Sequence, residues 1–211
     1  MSTISFLINQ FLKFLFLLTP FFVLSMFLSM TQGWGITQKR RLALRVGTAA
    51  FVICTILIFC GSFIFQAFDI TLDAFRIGGG AILFLSAVGL VNSNVTDKKD
   101  NTAPLQVEDS YSSAQISNIA VVPLAIPVTV GPGTIGAMLV IGAESANLQA
   151  KLLSLGAVAI AMVVLTTMLW AATWVEQKLG HQVIVILSKL TGLILAAMAA
   201  QMIFTGIKNF L

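Results

Sequence analysis

The stretch Val122-Pro123-Leu124-Ala125-Ile126-Pro127-Val128-Thr129-Val130-Gly131-Pro132-Gly133-Thr134-Ile135-Gly136 decides how the rest of the chain folds. It is apolar enough to lie in a bilayer, yet an unbroken helix does not tolerate three prolines in ten residues with Gly131 and Gly133 around the last. Each proline removes a backbone donor and crowds the carbonyl four residues earlier. Hydrocarbon offers no water to the freed carbonyls, so such a segment persists only when buried in protein or lining a wet cavity. The stretch is therefore a binding-site candidate on physical grounds alone.

The composition supports a bilayer setting. Of 211 residues, 58% are hydrophobic and 9% charged, with a mean hydropathy of +0.98. A soluble domain carries about 25% charge. The net charge of +4 does not imply a nucleic-acid partner, because the basic residues are scattered at the ends of apolar runs rather than gathered on one stripe. Membrane lipid is the expected partner. Cys54 and Cys60 lie six positions apart in one apolar run, on different helix faces, and form neither a metal pair nor an expected disulfide. His181 has no Cys or carboxylate at ligand spacing and reads as an ordinary loop residue. Lys13 precedes the apolar run 14–28, but that run is long, bulky and followed by no small-x-small site, so it is expected to be an uncleaved first span.

Six segments are long enough for the roughly 20 helical residues a crossing needs: 7–30, 43–65, 74–92, 118–142, 152–174 and 186–207. The expected fold is all-α, a polytopic membrane protein of six transmembrane segments. A polar linker, 93–117, with Asp97-Lys98-Lys99-Asp100 and Pro104, separates a three-helix half at 1–92 from a second at 118–211. Three is odd, so a repeat between the halves has inverted topology. Pro20 in the first segment matches the prolines of the fourth, and Arg76-Ile77-Gly78-Gly79 matches Lys189-Leu190-Thr191-Gly192. The expectation is a 3+3 inverted repeat with broken helices at segments 1 and 4.

Lys39, Arg40, Arg41, Arg45, Lys98, Lys99 and Lys178 follow segments one, three and five, whereas Lys13, Arg76, Lys151 and Lys208 fall on the other side. The positive-inside rule places the first group in the cytoplasm and both termini in the periplasm. Trp34, Trp170 and Trp174 are expected as interfacial anchors at the cytoplasmic ends.

Within the opening stretch, Gly131 can cap a half-helix that begins at Pro132, a position suited to proline because its missing donor would have been unpaired. Such a helix start attracts a carboxylate or another anion. Gly133 accompanies the turn, Thr129 and Thr134 add hydroxyls, and carbonyls near Pro123 and Pro127 complete the candidate site. The competing reading is a proline-kinked packing helix whose hydroxyls bond their own backbone. Gly79, in Gly78-Gly79-Gly80, either packs helices closely or lines the same site. Arg76 either snorkels to the headgroups or pairs with a substrate carboxylate. No Asp or Glu lies well inside a span, and nothing resembles a nucleophile-base pair, metal cluster or phosphate loop. No enzymatic activity and no cofactor are expected.

With its segments placed, the chain resembles the MarC family of bacterial inner-membrane proteins, a UPF0056-type family related to the SnatA-type neutral amino-acid transporters. The resemblance rests on Pro123-Leu124-Ala125-Ile126-Pro127 with Gly131-Pro132-Gly133-Thr134-Ile135, on Phe75-Arg76-Ile77-Gly78-Gly79-Gly80, and on Leu190-Thr191-Gly192 through Thr205-Gly206-Ile207. It implies a multi-pass protein of the inner membrane that moves a small polar solute such as a neutral amino acid. The family's first span typically carries Asp-Pro or Asn-Pro followed by Gly, Asn and a second Pro. Here that place reads Thr19-Pro20-Phe21-Phe22-Val23-Leu24-Ser25, and only Pro20 remains. A structural or regulatory protein that keeps the fold without transport is the alternative, and a homo-oligomer is left open.

Overall fold

The computed structural model describes residues 3–92, 129–145 and 147–210, and among these it is all-helical. Among the described residues eight helices follow one another: α1 (Thr3–Leu17), α2 (Pro20–Met30), α3 (Ile36–Phe68), α4 (Leu72–Asn92), α5 (Pro132–Glu144), α6 (Leu148–Trp170), α7 (Ala172–Leu179) and α8 (His181–Phe210). Among the described residues five stretches are long and apolar enough to cross a membrane: Ser5–Met30, Ile36–Gly61, Leu72–Asn92, Leu148–Trp170 and Gln182–Phe210. The linker 93–117, Pro123 and Pro127 lie outside the described residues, as does the expected fourth segment before Thr129. The 13 residues of α5 reach about 20 Å, short of the roughly 30 Å of a hydrocarbon core.

The first span is interrupted at Leu18-Thr19. Pro20 has no N–H, so the Phe16 carbonyl is met instead by the Thr19 N–H at 3.0 Å, and the chain restarts with Pro20 as the first residue of α2. Thr19 adopts φ 47°, ψ 57°, a left-handed conformation that a β-branched residue rarely takes.

α3 is longer than the sequence suggests. Its 33 residues span about 50 Å, because nothing between Gly35 and Phe68 breaks a helix. Lys39, Arg40, Arg41 and Arg45 therefore lie on the first turns of α3 rather than in a loop. His181, expected in a loop, is the first residue of α8; the turn before it is made by Gly180 at φ 77°. Trp34 is also corrected: it is 6% exposed and belongs to the buried core, whereas Trp170 and Trp174 are exposed.

α4 packs antiparallel along α8, with Gly206 opposite Asp73, Gly80 against Ala199 and Ile203, and Gly192 against Ala87 and Val91. The short helix α5 crosses both α3 and α4, while α2 packs on α6 and α8. At the α5 crossings the backbones nearly touch. A Cβ on Gly142 would stand 2.3 Å from the Ile58 carbonyl oxygen, and one on Gly136 would stand 3.3 Å from the Gly79 Cα. The apolar core runs through the bundle from Phe14, Leu17 and Leu18 to Leu165 and Leu169. The exposed faces carry Phe63, Leu85, Val163 and Phe204, as lipid-facing surfaces do.

Candidate functional site

The candidate site lies where the break between α1 and α2 meets the start of α5. Gly131 caps α5 in an extended conformation (φ −76°, ψ 170°), with Pro132 opening the helix and the Ile135 N–H donating to the Gly131 carbonyl at 2.9 Å. Two residues further on, Thr134 Oγ1 donates to the Leu17 carbonyl at 3.1 Å in a buried setting. In an unbroken helix Leu17 would accept from residue 21. The break at Thr19-Pro20 frees it, and a side chain 117 positions away in sequence satisfies it. Thr129 and Thr134 are buried, at 1% and 6% exposure, and Thr19 is 7% exposed.

Of the residues expected to form the site, the structure brings Gly131, Pro132, Gly133 and Thr134 together with the Pro20 break. Gly133 lies so close to Leu83 that a Cβ would meet its Cα at 2.7 Å. Gly79 faces Gly136 at the helix crossing and serves close packing.

Arg76 sits at the other end of α5. It pairs with Asp73 on its own helix and donates to Glu144 Oε1, at 2.6 Å from Nη2 and 3.1 Å from Nε. Glu144 comes ten residues after Thr134, about 15 Å along the helix. The Asn209 side-chain amide reaches Asp73 at 3.4 Å, so the cluster ties the start of α4, the end of α5 and the end of α8 together.

Between the two features lies a cavity of about 180 Å³. Lys13, Arg76, Glu144, Gln201 and Thr205 line its polar part, while Leu17, Leu83, Ala137 and Met198 line the apolar remainder. The cavity thus extends from the ion-paired cluster to the residue whose carbonyl Thr134 holds. Such an arrangement suits a small molecule with a polar end and little apolar bulk. Sequence reasoning missed Glu144, Lys13 and the Gln201-Thr205 face. The spacing of Met198, Gln201, Met202 and Thr205, at i, i+3, i+4 and i+7, marks one helix face and could have drawn attention to it. Among the described residues no group of three or more His, Cys, Asp or Glu is placed to hold a metal.

The profile of MarC family integral membrane proteins matches residues 4–211. The chain belongs to the MarC family. It is 29% identical over 204 residues to a UPF0056 membrane protein of Aquifex aeolicus, covering 97% of this chain and 93% of the relative. The UPF0056 membrane protein YvbG of Bacillus subtilis is 29% identical, with 97% and 95% covered. UPF0056 membrane protein MJ1677 of Methanocaldococcus jannaschii is 32% identical, with 92% of each chain covered. No solved structure matches. The chain is thus an integral, multi-pass membrane protein, and its apolar outer surface faces lipid.

Proposed function

We propose that this MarC family member is a secondary transporter-like protein of the bacterial inner membrane for a small polar solute, a neutral amino acid being the class that fits. The observation that carries the reading is the Thr134 to Leu17 hydrogen bond, which joins two helix interruptions deep in the bundle next to a cavity. Backbone interrupted at membrane depth is the usual material of transporter sites, where a half-helix start takes an anionic group and freed carbonyls take a cation or ammonium. In this reading the solute carboxylate meets the start of α5 at Gly131 to Thr134, and the substrate opens the Thr134 to Leu17 bond on entering.

The six-span, 3+3 inverted-repeat reading with broken helices at segments 1 and 4 is part of the same proposal. Its support is reciprocal packing: α5 crosses α3 and α4 of the first half, while α2 packs on α6 and α8 of the second. Pro20 and Pro132 both occupy the first turn of a helix that follows an interruption. Under the positive-inside rule both termini and the cavity mouth face the periplasm.

Uptake or counterflow of radiolabelled alanine, serine, glycine and threonine in proteoliposomes tests the transport reading, with Thr134→Val as the site variant. Uptake that Thr134→Val lowers at least tenfold is the expected result. No flux for any neutral amino acid would overturn it.

One observation favours a second reading, a scaffold or regulatory role. Thr134 is engaged by Leu17, Arg76 by Asp73 and Glu144, and α2 opens after Pro20 with Phe21, Phe22 and Val23 rather than polar residues. A cellular phenotype of gene loss that is rescued equally well by the native protein and by variants bulky at Gly131 and Thr134 would favour this reading.

A further inference from the structure

A second concavity lies between α3 and α6, with a volume of about 410 Å³. We propose that it binds an anionic phospholipid, with one acyl chain in the groove and the phosphate at Arg40. The groove is lined by Leu44, Thr48 and Phe51 from α3 and by Ala159, Val163 and Thr166 from α6. Its wall is apolar in effect even where it carries hydroxyls: Thr48 Oγ1 donates to the Arg45 carbonyl at 3.0 Å, so that group is already engaged within its own helix.

Helix periodicity carries both walls to one end. Arg40, Leu44, Thr48 and Phe51 follow one face of α3, and Ala159, Val163, Thr166 and Trp170 follow one face of α6. At that end the Arg40 guanidinium lies 3.9 Å from the centroid of the Trp170 ring. A guanidinium over an aromatic ring keeps N–H donors in its plane, and these form a fork that matches a phosphate. Arg40 and Trp170 are both exposed. Lys39, Arg41 and Arg45 are its sequence neighbours on the first turns of α3, so basic residues are concentrated at this end of the helix.

The length also fits. From Arg40 to Phe51 is eleven residues, about 17 Å of helix, and one leaflet of hydrocarbon is about 15 Å deep. A chain entering at the level of Arg40 therefore ends near Phe51. A basic end, an aromatic ring at the interface and an apolar trough one leaflet long together select a lipid with a negative headgroup rather than a soluble anion or a zwitterionic lipid.

The test is native mass spectrometry of the full-length protein released from nanodiscs of phosphatidylethanolamine and phosphatidylglycerol in a three-to-one mixture. Retained phosphatidylglycerol is expected to be enriched about fivefold over its share of the bilayer. Arg40→Gln should abolish the enrichment and Arg40→Lys should keep most of it. Thr48→Trp, which fills the trough, should remove the retained lipid; Thr167→Trp makes the same test from α6 should Thr48→Trp not fold. Retained lipid that mirrors the bilayer composition would overturn the proposal, as would an enrichment that survives both Arg40→Gln and the filled trough. Thermal stabilisation by inorganic phosphate equal to that by phosphatidylglycerol would overturn it too, by making the occupant a free anion.

Discussion

Thr134 and Thr19 sit on the two sides of one junction and make opposite contributions to it. The Thr134 hydroxyl satisfies a carbonyl that the Pro20 break leaves without a helical donor. Thr134→Val keeps the volume and removes the donor, which should lower stability by about 1 kcal/mol, while Thr134→Ser should stay near the native value. Thermal unfolding in detergent, followed by tryptophan fluorescence, checks both. Thr19 stores strain instead, a β-branched residue at φ 47°. Asparagine tolerates that conformation better, so Thr19→Asn is expected to raise stability by about 0.5 to 1 kcal/mol in the same measurement. An unchanged or lower midpoint would mean that the threonine side chain contributes more than its backbone costs.

At the scale of elements, α5 is unusual, because it is too short to cross a bilayer and its glycines bring its backbone against those of α3 and α4 while Met138 and Leu139 are buried beside them. Gly142 meets the Ile58 carbonyl, and Gly61 would place a Cβ 2.5 Å from the Leu139 carbonyl. Even one methyl therefore has to push α3 and α5 apart. Gly142→Ala should cost about 1 to 3 kcal/mol and loosen the α5 start that carries Thr134. Gly89→Ala is the control, since nothing lies within 4 Å of that position and its midpoint should hold or rise slightly. Equal effects of the two changes would contradict the close packing. The ion pair from Arg76 to Glu144 fixes the far end of the same helix, so α5 is tied at both ends and crossed between them.

For the whole molecule, the proposed orientation rests on the basic residues on the first turns of α3, which also stand at the Arg40 end of the groove between α3 and α6. Under the proposed orientation, alkaline phosphatase fused after Leu211 should be active and green fluorescent protein at the same place dark. Neutralising Lys39, Arg40, Arg41 and Arg45 together should produce a mixed population, with about half or more of either signal moving to the other reporter. A cytoplasmic C-terminus in the native chain would reverse the assignment of the cavity mouth to the periplasm.

Much of this was legible in the amino-acid order. Hydropathy places five of the six expected segments, the first, second, third, fifth and sixth, where long apolar helices stand among the described residues, because the bilayer demands long apolar runs whose backbone bonds are satisfied internally. Gly131-Pro132 marks a helix start, because proline has no donor to lose there. The quoted stretch also carries the family resemblance. What sequence could not supply are contacts between residues distant along the chain. Nothing local indicates that the Leu17 carbonyl would be met by Thr134, that Arg76 would be taken by Asp73 and Glu144, that Trp34 would be buried, or that Arg40 would stack on Trp170. Those depend on how helices cross. A backbone carbonyl has no residue type to reveal it, and a charged or aromatic side chain near a span end is equally compatible with lipid headgroups and with a partner on another helix. The break in the chain is written in proline and glycine; the partner that closes it is decided only by tertiary packing.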